Sequence, residues 1–172
     1  MRILVLGVGN LLLSDEGFGV HFVRYLERHY EFPNSVELFD AGTLGLMAGH
    51  KIEEADWVYI VDVIVAEGAP GEWRRYSRED LALRDLPVKI SPHQVGVQEM
   101  LMVSELRGRC PKEVCLLGVV PASMSPGTEL SAPLRESLGE LAHQLIAELQ
   151  ALGIPVRERA SPGAAACQLA LV

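Results

Sequence analysis

Two stretches of this chain leave little freedom of architecture. Ala55-Asp56-Trp57-Val58-Tyr59-Ile60-Val61-Asp62 and Val114-Cys115-Leu116-Leu117-Gly118-Val119-Val120 are apolar at almost every position. A strand wetted on one side alternates apolar with polar residues. A near-continuous apolar run needs cover on both faces, as a parallel strand has when helices sandwich its sheet. Shorter apolar runs occupy 2–8 and 35–39, and helical patterns stand between the runs. The alternation predicts an α/β fold with parallel strands, those at 56–63 and 114–120 being central. A short strand or hairpin arm is expected at Glu72-Trp73-Arg74-Arg75-Tyr76, after the Pro70-Gly71 turn signal.

Phe18, Phe22, Tyr25 and Leu26 make one helical stripe, and Val97, Leu101 and Ser104 mark a second. Leu134, Leu138, Leu141, Leu145, Leu149 and Leu152 recur at three- and four-residue steps. Ser131 and Pro133 supply a start for that helix, and Gly153 and Pro155 a stop. The leucine row is read as facing the core rather than a partner helix, with His143 on the opposite, solvated side. No repeat or linker divides the 172 residues, so 1–159 form one expected domain and 160–172 a loosely held tail.

Acidic residues outnumber basic ones 23 to 15, and no basic cluster exceeds Arg74-Arg75, which argues against a nucleic-acid partner. No stretch approaches the ~20 apolar residues of a membrane span. The apolar start is broken by Gly7, Gly9 and Asn10 and followed by Ser14-Asp15-Glu16, unlike a signal peptide. Cys110, Cys115 and Cys167 contain no Cys-x-x-Cys pair. They fit a reduced, cytoplasmic protein in which Cys115 is a small core residue.

The chemistry concentrates where strands end. The first strand runs into Gly7-Val8-Gly9-Asn10-Leu11-Leu12-Leu13-Ser14-Asp15-Glu16-Gly17-Phe18-Gly19. This turn begins like a dinucleotide-binding loop, yet Leu12 stands where the fingerprint needs its third glycine. Asp15 and Glu16 at a helix N-terminus would repel a pyrophosphate and suit a cation. Glu16 after the first strand, Asp40 closing the second and Asp62 closing the third all fall on the edge where parallel strands end. His93, in Ser91-Pro92-His93-Gln94, precedes the Val97 helix and is a fourth candidate for that edge. Two carboxylates and an imidazole suit a transition metal.

Each residue also has a simpler reading. Asp15 is most economically a helix cap, Glu16 a complement to the helix dipole, and His93 alone a structural histidine. Asp40 resembles the ribose-binding acid of nucleotide folds, a reading weakened by the missing glycine. His21, His29 and His50 fit surface or packing roles. Asp62 resists such a reading, because a charge ending an apolar run is costly unless it is paired or functional, although strand-end aspartates also cap the next segment.

Taken together, Gly7-x-Gly9-Asn10-x-Leu12-x-x-Asp15-Glu16-Gly17-x-Gly19, Asp40-Ala41-Gly42-Thr43, Val61-Asp62 and His93-Gln94-x-Gly96 resemble the hydrogenase maturation proteases. These endopeptidases trim the large-subunit precursor of nickel-iron hydrogenases. The resemblance implies a single-domain three-layer sandwich, a twisted, mostly parallel five-stranded sheet between helices. It implies that Glu16, Asp62 and His93 contact metal and that Asp40 lies near the cleft, so that Asp40, Glu16 and Asp62 are the catalytic candidates. It further implies an aspartic-type, metal-directed endopeptidase with no cofactor of its own. The nickel would arrive with the substrate, and cadmium or zinc could take its place. Ala41 departs from the family's usual pair of glycines, and Val63-Ile64-Val65-Ala66 departs from its usual segment after Asp62. The competing readings are a nucleotide-binding regulatory or redox module and a non-catalytic nickel chaperone. The sequence leaves the oligomeric state open.

Overall fold

In a computed structural model, which describes residues 1–43, 48–82, 89–90 and 101–160, the chain folds as an α/β sandwich. The strands are β1 (Ile3–Val8), β2 (Tyr30–Glu31), β3 (Val36–Gly42), β4 (Trp57–Val65), β5 (Trp73–Ser77), β6 (Lys89–Ile90), β7 (Glu113–Val119) and β8 (Arg157–Glu158). The helices are α1 (Phe18–His29), α2 (Gly49–Glu54), α3 (Arg78–Ala82), α4 (helical over 101–106) and α5 (Ala132–Ala151).

The main sheet has the order β3-β1-β4-β7-β5. The pairings β1–β3, β1–β4 and β4–β7 are parallel, and β5 closes the edge antiparallel to β7. β4 and β7 sit centrally, as their apolar runs require. Both faces are covered. Ile3, Val5, Tyr59, Val61, Val63 and Leu117 pack with Phe18, Phe22 and Leu26 of α1 and the leucines of α5. Leu4, Leu6, Val58, Ile60, Ile64 and Leu116 pack with Ile52 of α2, Leu81 of α3 and half-buried Leu101 of α4.

The helices behave as their stripes require. Leu134, Leu141, Leu145 and Leu149 are buried, Leu138 and Leu152 are partly buried against the same core, and His143 is exposed. Cys115 is buried. Cys167 and the tail from 161 onward lie outside the described residues, as does Val97.

Two strand ends differ from the sequence reading. Asp62 does not close its strand, because β4 runs on to Val65 and is extended by antiparallel pairing of Ile64 and Val65 with β6. Asp40 does not close β3 either. The register slips there, Gly7 opposing Asp40 while Val8 opposes Gly42, so Ala41 is the extra residue of a bulge. β2 and β8, a two-residue antiparallel pair, carried no sequence signal.

Candidate metal-recognition site at the sheet edge

The glycines of the first turn act through close approach. A Cβ on Gly7 would stand 2.2 Å from the Gly19 carbonyl oxygen, and one on Gly19 would stand 2.2 Å from the Val61 carbonyl oxygen and 2.3 Å from that of Val8. The start of α1 therefore rests directly on the backbones of β1 and β4. Helix-to-strand contact of this kind is the task of the third glycine in a dinucleotide fingerprint, and Gly19 performs it here in place of exposed Leu12.

Gly9 closes the turn on itself. Its N–H donates to the Gly42 carbonyl at 2.9 Å, and the Asn10 N–H donates to the Glu16 carbonyl at 3.1 Å. A Cβ on Gly9 would meet that Glu16 oxygen at 1.9 Å. In a nucleotide site the space over this glycine admits a pyrophosphate. In this chain Glu16 fills it.

The acidic pair divides its labour. Asp15, at 0% exposure, is not a cap on its own turn. Its Oδ2 accepts the N–H groups of Ala122 and Ser123 at 2.9 Å each, and its Oδ1 accepts the Ser131 N–H at 2.7 Å. Asp15 thus binds the loop between β7 and α5, down to Ser131 at the N-cap position of α5, whose own side chain makes no capping hydrogen bond. Nothing in the local sequence signals partners so distant. Glu16, only 2% exposed, lies in the same 3-10 turn (Ser14–Gly17) and leads into α1. Three residues on, Gly19 touches the Val61 backbone, so the turn is seated beside the residue that precedes Asp62.

Asp62 is fully buried, and its Oδ1 accepts the Val63 N–H at 2.8 Å. Its neighbour across the β4–β7 pairing is Gly118. Asp40 is exposed and oriented through both oxygens. Oδ2 accepts Arg24 Nη2 from α1 at 3.1 Å, and Oδ1 accepts the Gly42 N–H at 3.0 Å, which fixes the bulge. Arg24 is a residue that sequence reasoning missed; its position on the exposed face of α1, opposite the Phe22 stripe, was the available signal.

Glu16, Asp40 and Asp62 therefore share the C-terminal edge of the parallel strands. His93 lies outside the described residues. Among the described residues no three His, Cys, Asp or Glu side chains form a metal-binding group, so any such group needs a donor from elsewhere. A cavity of about 280 Å³ at Arg2, Leu4 and Lys51 sits at the opposite ends of the strands and holds none of the candidates. The other histidines have local roles: His29 Nδ1 bonds the Tyr25 carbonyl at 2.8 Å and its ring stacks on Tyr25, while half-buried His21 is held below its ordinary pKa by burial.

Comparison with known proteins bears on the family and the fold. The family model described as hydrogenase maturation protease matches residues 20–148, a span that contains Asp40, Asp62 and His93 but not the turn with Glu16. The hydrogenase expression/formation protein HupD of Bradyrhizobium diazoefficiens is 38% identical over 165 residues, covering 94% of this chain and 84% of its own. The hydrogenase 2 maturation protease of Escherichia coli is 38% identical over 161 residues, covering 90% and 94%. The solved structure of the hydrogenase maturating endopeptidase HybD from E. coli superposes with a TM-score of 0.85 at 37% identity, covering 92% of this chain and 98% of that one.

Proposed function

The chain belongs to the hydrogenase maturation protease family, and on that premise we propose that it removes the C-terminal extension of a nickel-loaded hydrogenase large-subunit precursor. Nickel is part of the substrate in this reading, and Glu16, Asp62 and His93 hold it. The observation that carries the proposal is the glycine-packed turn, which lays α1 on Val8 and Val61 and so sets buried Glu16 on the edge that holds buried Asp62. Buried carboxylates are costly unless a cation or hydrogen bonds compensate them. Carboxylate oxygens with one imidazole make a donor set suited to a divalent transition ion. The chain supplies His93 from a segment that begins just beyond β6, and β6 pairs with β4 at Ile64, two residues from Asp62.

Metal recognition makes cleavage conditional. A precursor without nickel offers the donors nothing to grip, so its scissile bond is not held in register. In the loaded precursor the ion also polarises the scissile carbonyl. Asp40 is the candidate base for the attacking water, because Arg24 and the Gly42 N–H orient its carboxylate while it stays exposed at the cleft. This is the sense in which the enzyme is aspartic-type. It works in the cytoplasm, before the large subunit is complete; no described helix is long and apolar enough to cross a membrane.

The nucleotide reading loses its site, since the Glu16 carbonyl occupies the place over Gly9. Incubating the purified protein with nickel-loaded precursor separates a peptidase from a chaperone. A peptidase yields a large subunit shortened at its C-terminus; a chaperone leaves the chain length unchanged. Glu16→Ala and His93→Ala are each expected to abolish trimming. Trimming at the wild-type rate by either variant rejects the metal grip.

A further inference from the structure

Beyond Asp62 the edge continues into an apolar cleft of about 230 Å³. Ile64, Val65 and Ala66 of the β4 end form one wall, and Val120, Pro121 and Met124 form the other. Val65 is 50% exposed and Met124 40%, so both present apolar surface to solvent. Ile64 is fixed from below, packing into the space that a Cβ on Gly118 would occupy, with its Cγ2 2.5 Å from that point. Cofactor and drug-like pockets run to roughly 300–1,000 Å³, so this cleft is sized for a side chain rather than a cofactor.

The second wall is locked in place. Asp15 holds the Ala122 and Ser123 backbones; Ser14 N–H and Gly127 carbonyl bond at 2.7 Å, Gly127 N–H and Leu12 carbonyl at 2.9 Å, and Ser14 Oγ donates to the Ser125 carbonyl at 2.9 Å. On the other side Val120 exchanges backbone bonds with Gly71 and Glu72. The turn that carries Glu16 and the wall that carries Met124 thus form one rigid piece. Such preorganisation is what a specificity pocket needs.

Side chains two apart on a strand share a face at a spacing of roughly 6.6 Å, and an extended peptide has the same repeat. Asp62 and Ile64 are so related. A substrate segment lying along this edge with one residue at the level of Asp62 sets another, two residues away, over the cleft.

We propose that this cleft is a specificity subsite that takes one large apolar side chain of the precursor, within about three residues of the scissile bond. The inference rests on the peptidase reading above. The test uses nickel-loaded precursor in which each of the four residues on either side of the scissile bond is changed in turn to alanine, with trimming measured by wild type, Val65→Thr and Met124→Gln. Both substitutions change exposed side chains at nearly constant volume, so folding is preserved. The expected result is one apolar position at which alanine raises KM about 10-fold for wild type with kcat unchanged. Met124→Gln and Val65→Thr raise KM for the unaltered precursor by a similar factor and lose the discrimination at that position. Equal discrimination by wild type and both variants, or KM values insensitive to every apolar position, overturns the subsite while leaving the peptidase standing. A wild-type protein that trims no loaded precursor overturns the peptidase reading and the subsite with it.

Discussion

Gly19→Ala tests whether close packing of α1 on the sheet creates the site. The added methyl would stand 2.2 Å from the Val61 carbonyl oxygen, 2.3 Å from that of Val8 and 2.6 Å from the Val8 nitrogen. Carbon-to-oxygen contacts settle at roughly 3.3 Å or more, so α1 must lift by about 1 Å. The obstacles are backbone atoms of two core strands and cannot rotate away. Overpacking costs about 1–3 kcal/mol, and a clash with two strands belongs at the upper end, about 3 kcal/mol. For a chain of this length that lowers Tm by roughly 6–12 °C. The displaced turn carries Glu16, and a misplacement of about 1 Å costs on the order of 100-fold in rate. Urea unfolding and precursor trimming measure the two effects. Gly139→Ala is the control: within α5 its methyl would meet only the Tyr25 hydroxyl at 3.4 Å, and relief of the glycine penalty stabilises the helix by up to about 1 kcal/mol. A Gly19→Ala protein as stable and as active as wild type would refute the reasoning.

Three further outcomes are expected. Asp15→Asn keeps the shape of the side chain but offers one acceptor oxygen to three N–H groups, and it should cost about 2 kcal/mol and open the 121–131 loop to limited proteolysis; an unchanged urea midpoint would contradict the role given to Asp15. Burial holds His21 below its ordinary value of 6.5, so on acidification the unfolded chain takes up this proton first: stability is retained above about 6.5, falls as the pH drops through that value and levels off below the folded pKa. His21→Gln should remove that part of the slope in urea midpoints measured between pH 5 and 8, and an identical slope would exclude it. Burial pushes the Cys115 thiol up to about 12, so iodoacetamide at pH 8 should leave it unmodified in the native protein and label it in urea; native labelling would show that the strand opens.

Periodicity made the scaffold legible. Near-continuous apolar runs identified β4 and β7 as central, and the leucine steps located α5, because burial on both faces or on one stripe is a property of composition at fixed spacing. The acidic edge was legible for the same reason, since parallel strands bring their C-terminal ends together. Three features were not. The partners of Asp15 lie 107 to 116 residues away, a distance no local pattern spans. β4 passes Asp62 because Val63 pairs with Val119 of β7 and β6 pairs with Ile64 and Val65, a tertiary extension rather than a propensity. The Ala41 bulge, with Arg24 holding Asp40, arises from register against β1. Gly19 shows the converse: the fingerprint lacks its third glycine at Leu12, and Gly19 is the glycine on which the helix stands.

The carboxylate of Asp15 joins the first turn of the chain to Ser131, at the start of the longest described helix. Nascent chains emerge N-terminus first, at about 5–20 residues per second. β1, β3 and β4 can pair while synthesis continues, but the donors that hold Asp15 do not yet exist. The Glu16 turn gains its second support only after residue 131 has appeared and α5 has begun to form. A truncated or half-made chain can carry much of the sheet and still lack a finished substrate cleft, so the competence to cut arrives with the last quarter of the protein.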